Sequence, residues 1–256
     1  MTEPGDASEA LGQAVAGDLD DLAGQARSAL SGTGLPAHPT RESLDRELRE
    51  IKDQVLRMGT YVEDQIRATM RSLVEHDADA ATEVILGDRR LNEVQRRVSS
   101  MITATIATQQ PVARDLRFLL ALDRVSYELE RMGDHTASVA KQARKLAPEP
   151  PLEDNLDLVE MGELDARLVH AILRALVAVD EAEARHVATA DDEIDRLYHQ
   201  TFDEVLELMR ADPANVDRGT RILFAAHYLE RIGDRATNIA EDVVFLATGE
   251  VEDLNP

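Results

Sequence analysis

The chain has 256 residues, a formal charge of −22, no Cys, no Trp, 3% aromatic and 43% hydrophobic residues. That balance excludes disulfides and thiolate metal sites, argues for Leu/Ile/Val/Ala/Met cores between helices, and leaves no basic surface for nucleic acid, whose phosphates need clustered Lys and Arg. The acidic start "MTEPGDASEA" lacks an apolar h-region, and the longest apolar runs, such as "FLLAL" at 118–122, are too short to span a bilayer, so the chain reads as soluble and cytoplasmic.

Residues 1–39 hold six of the 13 Gly and three of the nine Pro, with a weak helical stripe (Leu11, Val15, Leu19, Leu22, Ala26, Leu30). They read as a mobile extension carrying one loosely docked helix. From Thr40, an N-cap after Pro39, the stripe Leu44, Leu48, Ile51, Val55, Met58, Val62, Ile66, Thr69 and Leu73 predicts one long amphipathic helix, ended by "EHDADA". A second helix is expected over about 79–108 along Val84, Asp88, Leu91, Gln95, Val98, Ile102 and Thr105. Pro111 opens a third, reaching about Leu146, and "APEPP" at 147–151 separates two halves.

The second half repeats the plan. Helix four is expected over about 155–179 along Leu156, Val159, Leu164, Leu168, Ile172, Leu176 and Val179. Helix five follows over about 181–210, before Pro213, and helix six over about 217–247, stopping at Gly249. The economical fold is all-α: two tandem three-helix bundles of long antiparallel helices, over 40–148 and 149–250, with a short tail at 251–256.

The phrase "ELERMGDH" at 128–135 returns as "YLERIGDR" at 228–235, so Glu130 and Asp134 reappear as Glu230 and Asp234, four residues apart and on one helix face. Upstream, Asp88 interrupts the apolar seam of helix two, with Asn92 one turn on. Asp191 interrupts that of helix five (Ala184, Val187, Asp191, Ile194, Tyr198), with Asp195 one turn on. On helix six His227, Glu230, Asp234, Asn238 and Glu241 fall within about 80° of one another. Clustered, partly buried carboxylates repel and resist desolvation, and a hard cation relieves both costs, with His or Asn completing its shell. Gly133 and Gly233 sit mid-helix despite a cost of about 1 kcal/mol against Ala; close backbone approach and plain helix contact both account for them. Arg131 and Arg231 are read as partners of neighbouring acids rather than as phosphate ligands.

These phrases, with "GDRRLNEVQ", "QQPVARDLR", "DDEIDRLYHQ" and the longer "YLERIGDRATNIAE", resemble the PhoU family in order and spacing over about 40–249. The resemblance implies two three-helix bundles carrying multinuclear iron or zinc clusters on E(D)xxxD motifs, with manganese and magnesium left open. It implies the metal residues Asp191, Asp195, Glu230 and Asp234 in the second half and Asp88, Asn92, Glu130 and Asp134 in the first; the stripe of helix six adds His227, Asn238 and Glu241 as further candidates. It also implies no enzyme activity, a place in the cytoplasm beside the membrane, and two partners: the ATPase subunit of a phosphate ABC transporter and a sensor histidine kinase, whose phosphate-starvation signal the protein damps. Homodimerisation stays open. Asn92 in place of a carboxylate and Lys141 where the second half has Glu241 imply a weaker first site.

Two other classes compete. A scaffold would use the acids for solubility alone. A di-iron carboxylate oxidase needs Glu-x-x-His on two helices, and the chain offers only Glu183–His186 and the reversed His227–Glu230.

Overall fold

A stripe repeating every three or four residues must find an apolar partner, and here the partners are other stripes of the same chain. The structure, a computed structural model, describes residues 40–150 and 157–254. It contains α1 (Arg41–Val74), α2 (Ala78–Gln109), α3 (Arg114–Leu146), α4 (Leu158–Ala178), α5 (Glu181–Ala190), α6 (Asp192–Ala211) and α7 (Val216–Thr248), with a 3-10 turn at Pro213–Asn215 before α7. No strand occurs among the described residues, and no helix there is long and apolar enough to cross a membrane. The extension and its docked helix, expected over 1–39, lie outside them.

Helices α1, α2 and α3 form one three-helix bundle; α4, the α5–α6 pair and α7 form the other. The α1 stripe is buried from Leu44 to Thr69, as its spacing requires. Asp77 caps α2 by accepting from the N–H groups of Asp79 and Ala80, and Asp180 caps α5 by accepting from that of Glu183. Gly249, at φ 83°, ends α7 in the left-handed region that only glycine enters without strain.

Three expectations need correction. The third helix begins at Arg114, not Pro111, because Gln110 (φ 49°) and Ala113 (φ 47°) turn the chain between them. The single helix expected over 181–210 is two, α5 and α6. At the junction the Ile194 N–H donates to the Asp191 carbonyl at 2.8 Å, an i−3 bond that tightens the turn, while Asp191 keeps helical angles. On α4 the buried stripe runs through Leu158, Met161, Asp165, Leu168, Ile172 and Leu176, leaving Val159 exposed and Leu164 only half-buried. The expected start near 155 and its Leu156 lie outside the described residues.

The halves meet along two antiparallel seams, of which α3 on α7 is the most extensive helix contact in the fold. In the other, α1 crosses α4 with Gly59 against Leu173 and Gly162 against Met70. These contacts are related by exchange of the halves, since Met58-Gly59 and Met161-Gly162 stand 103 residues apart, as do Met70 and Leu173. A Cβ on either glycine would lie 2.4 Å from the facing side chain, so the helices approach where a side chain is missing.

Leu129, fully buried on α3, tests this core. Leu129→Ala is expected to cost about 2–5 kcal/mol, through lost transfer energy and a cavity. Leu86→Ala, at a position 63% exposed, should cost about 0.5 kcal/mol or less. Urea unfolding of the full chain checks both, and similar midpoints for the two variants would contradict the packing described.

Candidate functional site

In each half the motif on the last helix faces the acid that interrupts the preceding helix. The first-half group draws Asp88 from α2 and Glu130 with Asp134 from α3. Glu130 is buried, whereas Asp88 and Asp134 are half-buried. Burial pushes the Asp88 carboxyl above its usual range, and Asp134 adds repulsion that Lys141 and Arg131 oppose. Glu130 is raised by the same causes, burial first and Asp134 next, with Arg131 opposing. Arg131 Nε lies 2.8 Å from Glu130 Oε2 and its NH1 2.9 Å from Asp134 Oδ2, so this arginine pairs with acids, as expected. Asn92 stays on its own helix, its amide 3.4 Å from both the carbonyl and Oδ2 of Asp88.

The second-half group draws Asp191 from the α5–α6 junction, Asp195 from α6, and Glu230 with Asp234 from α7. Asp191 is buried, and Thr237, one helical turn past Gly233, donates its hydroxyl to Oδ2 at 3.1 Å. Gly233 is there for room: a Cβ at that position would sit 2.2 Å from Asp191 Oδ1. Its counterpart Gly133 instead meets Leu91, at 2.2 Å, with Asp88 Oδ1 further off at 3.7 Å. Asp195 is raised by burial and then by Asp234. Glu230 is pushed up to about 7 by burial and by Asp234, against the pull of Arg231. Arg231 NH1 pairs with Asp234 Oδ2 at 2.8 Å, reproducing the Arg131–Asp134 contact of the first half.

Sequence reasoning missed Asp165 on α4. It is fully buried, neither carboxyl oxygen has a hydrogen-bond partner, and it is raised well above the usual range by burial and then by Asp191, Asp234 and Glu230. The signal was available: Met161 and Leu168 bracket it at helical spacing, and it stands 103 residues after Val62, as Asp191 does after Asp88.

The additional candidates go different ways. His227 is 48% exposed, its Nδ1 3.4 Å from Glu230 Oε2. Asn238 donates across the α3–α7 seam to Glu128 Oε2 at 3.3 Å. Glu241 accepts the Leu254 N–H at 3.1 Å, and Glu252 pairs with Arg185 at 2.9 Å. Those two contacts fold residues 251–253 over a cavity of about 630 Å³ lined by Asp191, Asp234, Asn238 and Glu241. Tyr127, which matches His227, packs under Arg131, and His186 is exposed on α5.

Oxygen donors of this kind suit hard cations, and Asp165 supplies buried oxygens with nothing else to bind. Among the described residues, however, no three His, Cys, Asp or Glu side chains are arranged to hold one ion. Arg231 on Asp234 and Arg131 on Asp134 each occupy one carboxylate oxygen of the motif.

A pH dependence follows. Glu230 titrates near 4.5 when unfolded and about 7 when folded, so it favours the folded state below 4.5 and loses that contribution as pH rises through 7. Asp242, raised to about 7 by burial despite Arg124, acts alike. His135, lowered to about 4 by burial and by Arg235 and Arg231, acts oppositely: its contribution is present above 6.5 and lost as pH falls to 4. Between pH 6.5 and 7.5 the two acids outweigh the histidine, so the melting temperature in chelator should fall across that window. Glu230→Gln should flatten the fall, and a flat wild-type profile would show that the burial described is wrong.

The PhoU domain family model matches residues 55–143 and 158–243, one copy in each half. The chain is 35% identical over 217 residues to a phosphate-specific transport system accessory protein PhoU homolog of Clostridium acetobutylicum, covering 84% of this chain and 99% of that one. It is 36% identical to the homolog so named from Xylella fastidiosa, over 83% of this chain and 88% of that one. The crystal structure of PhoU from Pseudomonas aeruginosa superposes with a TM-score of 0.77 at 32% identity, over 80% of this chain and 99% of that one. PhoU from Streptococcus pneumoniae, described as a phosphate transport system regulatory protein, gives 0.76 at 30% identity over 82% and 99%. With its two halves matched in turn and its repeated motif in the matched segments, the chain belongs to the PhoU family.

Proposed function

We propose that this protein is a cytoplasmic, non-enzymatic regulator of phosphate uptake that binds metal at its repeated carboxylate motifs. It acts by contact with the ATPase subunit of a phosphate ABC transporter and with a sensor histidine kinase, damping phosphate-starvation signalling when phosphate is plentiful. Family membership and the relatives' names as phosphate-transport accessory proteins support the physiological part. The metal part rests on one observation: each half brings a motif from its last helix against a seam acid from the preceding one, at a desolvation cost that a cation offsets.

Glu230, Asp234, Asp191 and Asp195 would hold iron or zinc in the second half, with Asp88, Glu130, Asp134 and Asn92 forming the weaker first site. Manganese or magnesium would suit the same oxygens. The ion would supply positive charge and order, not chemistry. Nothing resembling a nucleophile with its base, or paired Glu-x-x-His motifs, occurs to support an enzyme.

Mass-spectrometric metal analysis of untagged protein is the first test. Wild type should carry iron, zinc or manganese, and the Glu230→Ala/Asp234→Ala variant much less. The melting temperature of wild type should drop in chelator by the mass-action term while that of the variant stays. Metal-free wild type that takes up nothing on reloading would end the metal reading and turn the acids into a docking surface. The regulatory part is tested separately: deleting the gene should derepress phosphate-starvation genes in rich phosphate, and normal repression in that strain would count against it.

A further inference from the structure

Asp165 stands where the fold does not ask for a polar residue. Its counterpart Val62, on α1, is fully buried and apolar, so the equivalent position in the other half is filled by packing alone. A buried carboxyl with neither oxygen bonded destabilises the fold, and more so if charged. Such a group calls for a specific explanation, and a bound ion is one.

Its surroundings say what that is. The charged groups that act on Asp165 are Asp191 from the α5–α6 junction and Asp234 and Glu230 from α7, all acids. Other acids of the two groups do have a cation acting on them: Arg131 and Lys141 on Asp88, Arg131 on Glu130, and Arg231 on Glu230. No lysine, arginine or histidine acts on Asp165. Asp165 therefore has acids from the α5–α6 junction and α7 as its charged neighbours and no cation acting on it directly, while Arg231 pairs with Asp234 beyond it.

We propose that Asp165 is a cation ligand particular to the second half, closing from α4 the site whose other walls are α5–α6 and α7, so that the two halves bind divalent cations unequally. The second half is the tight site. The first, with Val62 at the matching position and Asn92 in place of a carboxylate, is the loose one. This rests on the cation reading of the repeated motif and adds a ligand and an order of filling. Asp165 contributes a fully buried oxygen pair that needs no side chain to give up a partner before an ion binds.

The experiment titrates metal-stripped, full-length protein with Mn²⁺ by calorimetry and paramagnetic resonance, and follows melting temperature with and without the ion. To isolate the second site, the titration is run in a Glu130→Ala/Asp134→Ala background. Asp165→Val, which copies the first half, and Asp165→Asn, which keeps the size, should each weaken Mn²⁺ binding by about tenfold or more, as ligand-sphere changes do. They should also shrink the Mn²⁺-induced rise in melting temperature. Metal-free Asp165→Val should melt higher than metal-free wild type, whereas a merely structural role predicts that it melts lower. Should Asp165→Val misfold, Asp165→Asn decides. Equal Mn²⁺ affinity in Asp165→Asn and its background overturns the assignment and leaves the motif reading standing. No Mn²⁺ binding by wild type at all overturns both.

Discussion

The constraint behind the second half is that a carboxylate has been placed in a helix seam and held there. Asp191 lies against the backbone of α7, where Gly233 leaves the room and Thr237 donates a hydrogen bond. Fixing that side chain fixes the α5–α6 junction, where the helix tightens, and brings the acid to the motif of α7 and to Asp165 of α4. The first half eases the same constraint. Its seam acid is half-buried, its motif glycine faces Leu91 more closely than the carboxylate, and Lys141 offsets charge. One duplicated design thus carries two levels of electrostatic tension.

The duplication also governs how the halves join. Exchange of the halves relates the Gly59–Leu173 and Gly162–Met70 contacts, so the α1–α4 seam keeps its internal symmetry. The α3–α7 seam does not. On one side Glu128 accepts from Arg235 and Asn238, and Arg124 pairs with Asp242 at 2.9 Å. On the other, Phe224, Tyr228 and His135 form a stack. Small residues tolerate symmetric contact because they demand only space, whereas charged partners must be complementary and so differ on the two sides.

Much of this was legible in the sequence because apolar spacing is a strong signal over thirty residues. The α1 stripe, the seam positions of Asp88 and Asp191, the motif pairs and the arginine pairing all follow from periodicity and charge, and the wording of the motif carried the family. What escaped was local. A stripe through Val159 and Leu164 is one residue off the buried face, and that offset hides Asp165 among solvent-facing acids. The α5–α6 junction has no Pro or Gly to mark it; it falls at Asp191, whose carboxylate lies against Gly233 of α7. Asn238 and Glu241 do share a face with Glu230, but Asn238 reaches across the seam and Glu241 holds the C-terminal segment. Helical angle places a side chain on a face; it does not choose its partner.

The placement of the arginines ties these points together. Arg231 pairs with Asp234, and Arg235, one turn on, reaches Glu128 of the other half; both act on His135 of α3. On the proposed reading, a cation drawing Asp234 away would leave Arg231 seeking a new acid beside a seam already bonded through Arg235. Occupancy would then be felt where the halves meet, through side chains in contact rather than through a change of fold. Such a response requires that the two arrangements of Arg231 differ in energy by an amount the ion can supply. On that reading the repulsion between Asp165 and the acids acting on it would supply it, being present without the ion and relieved with it.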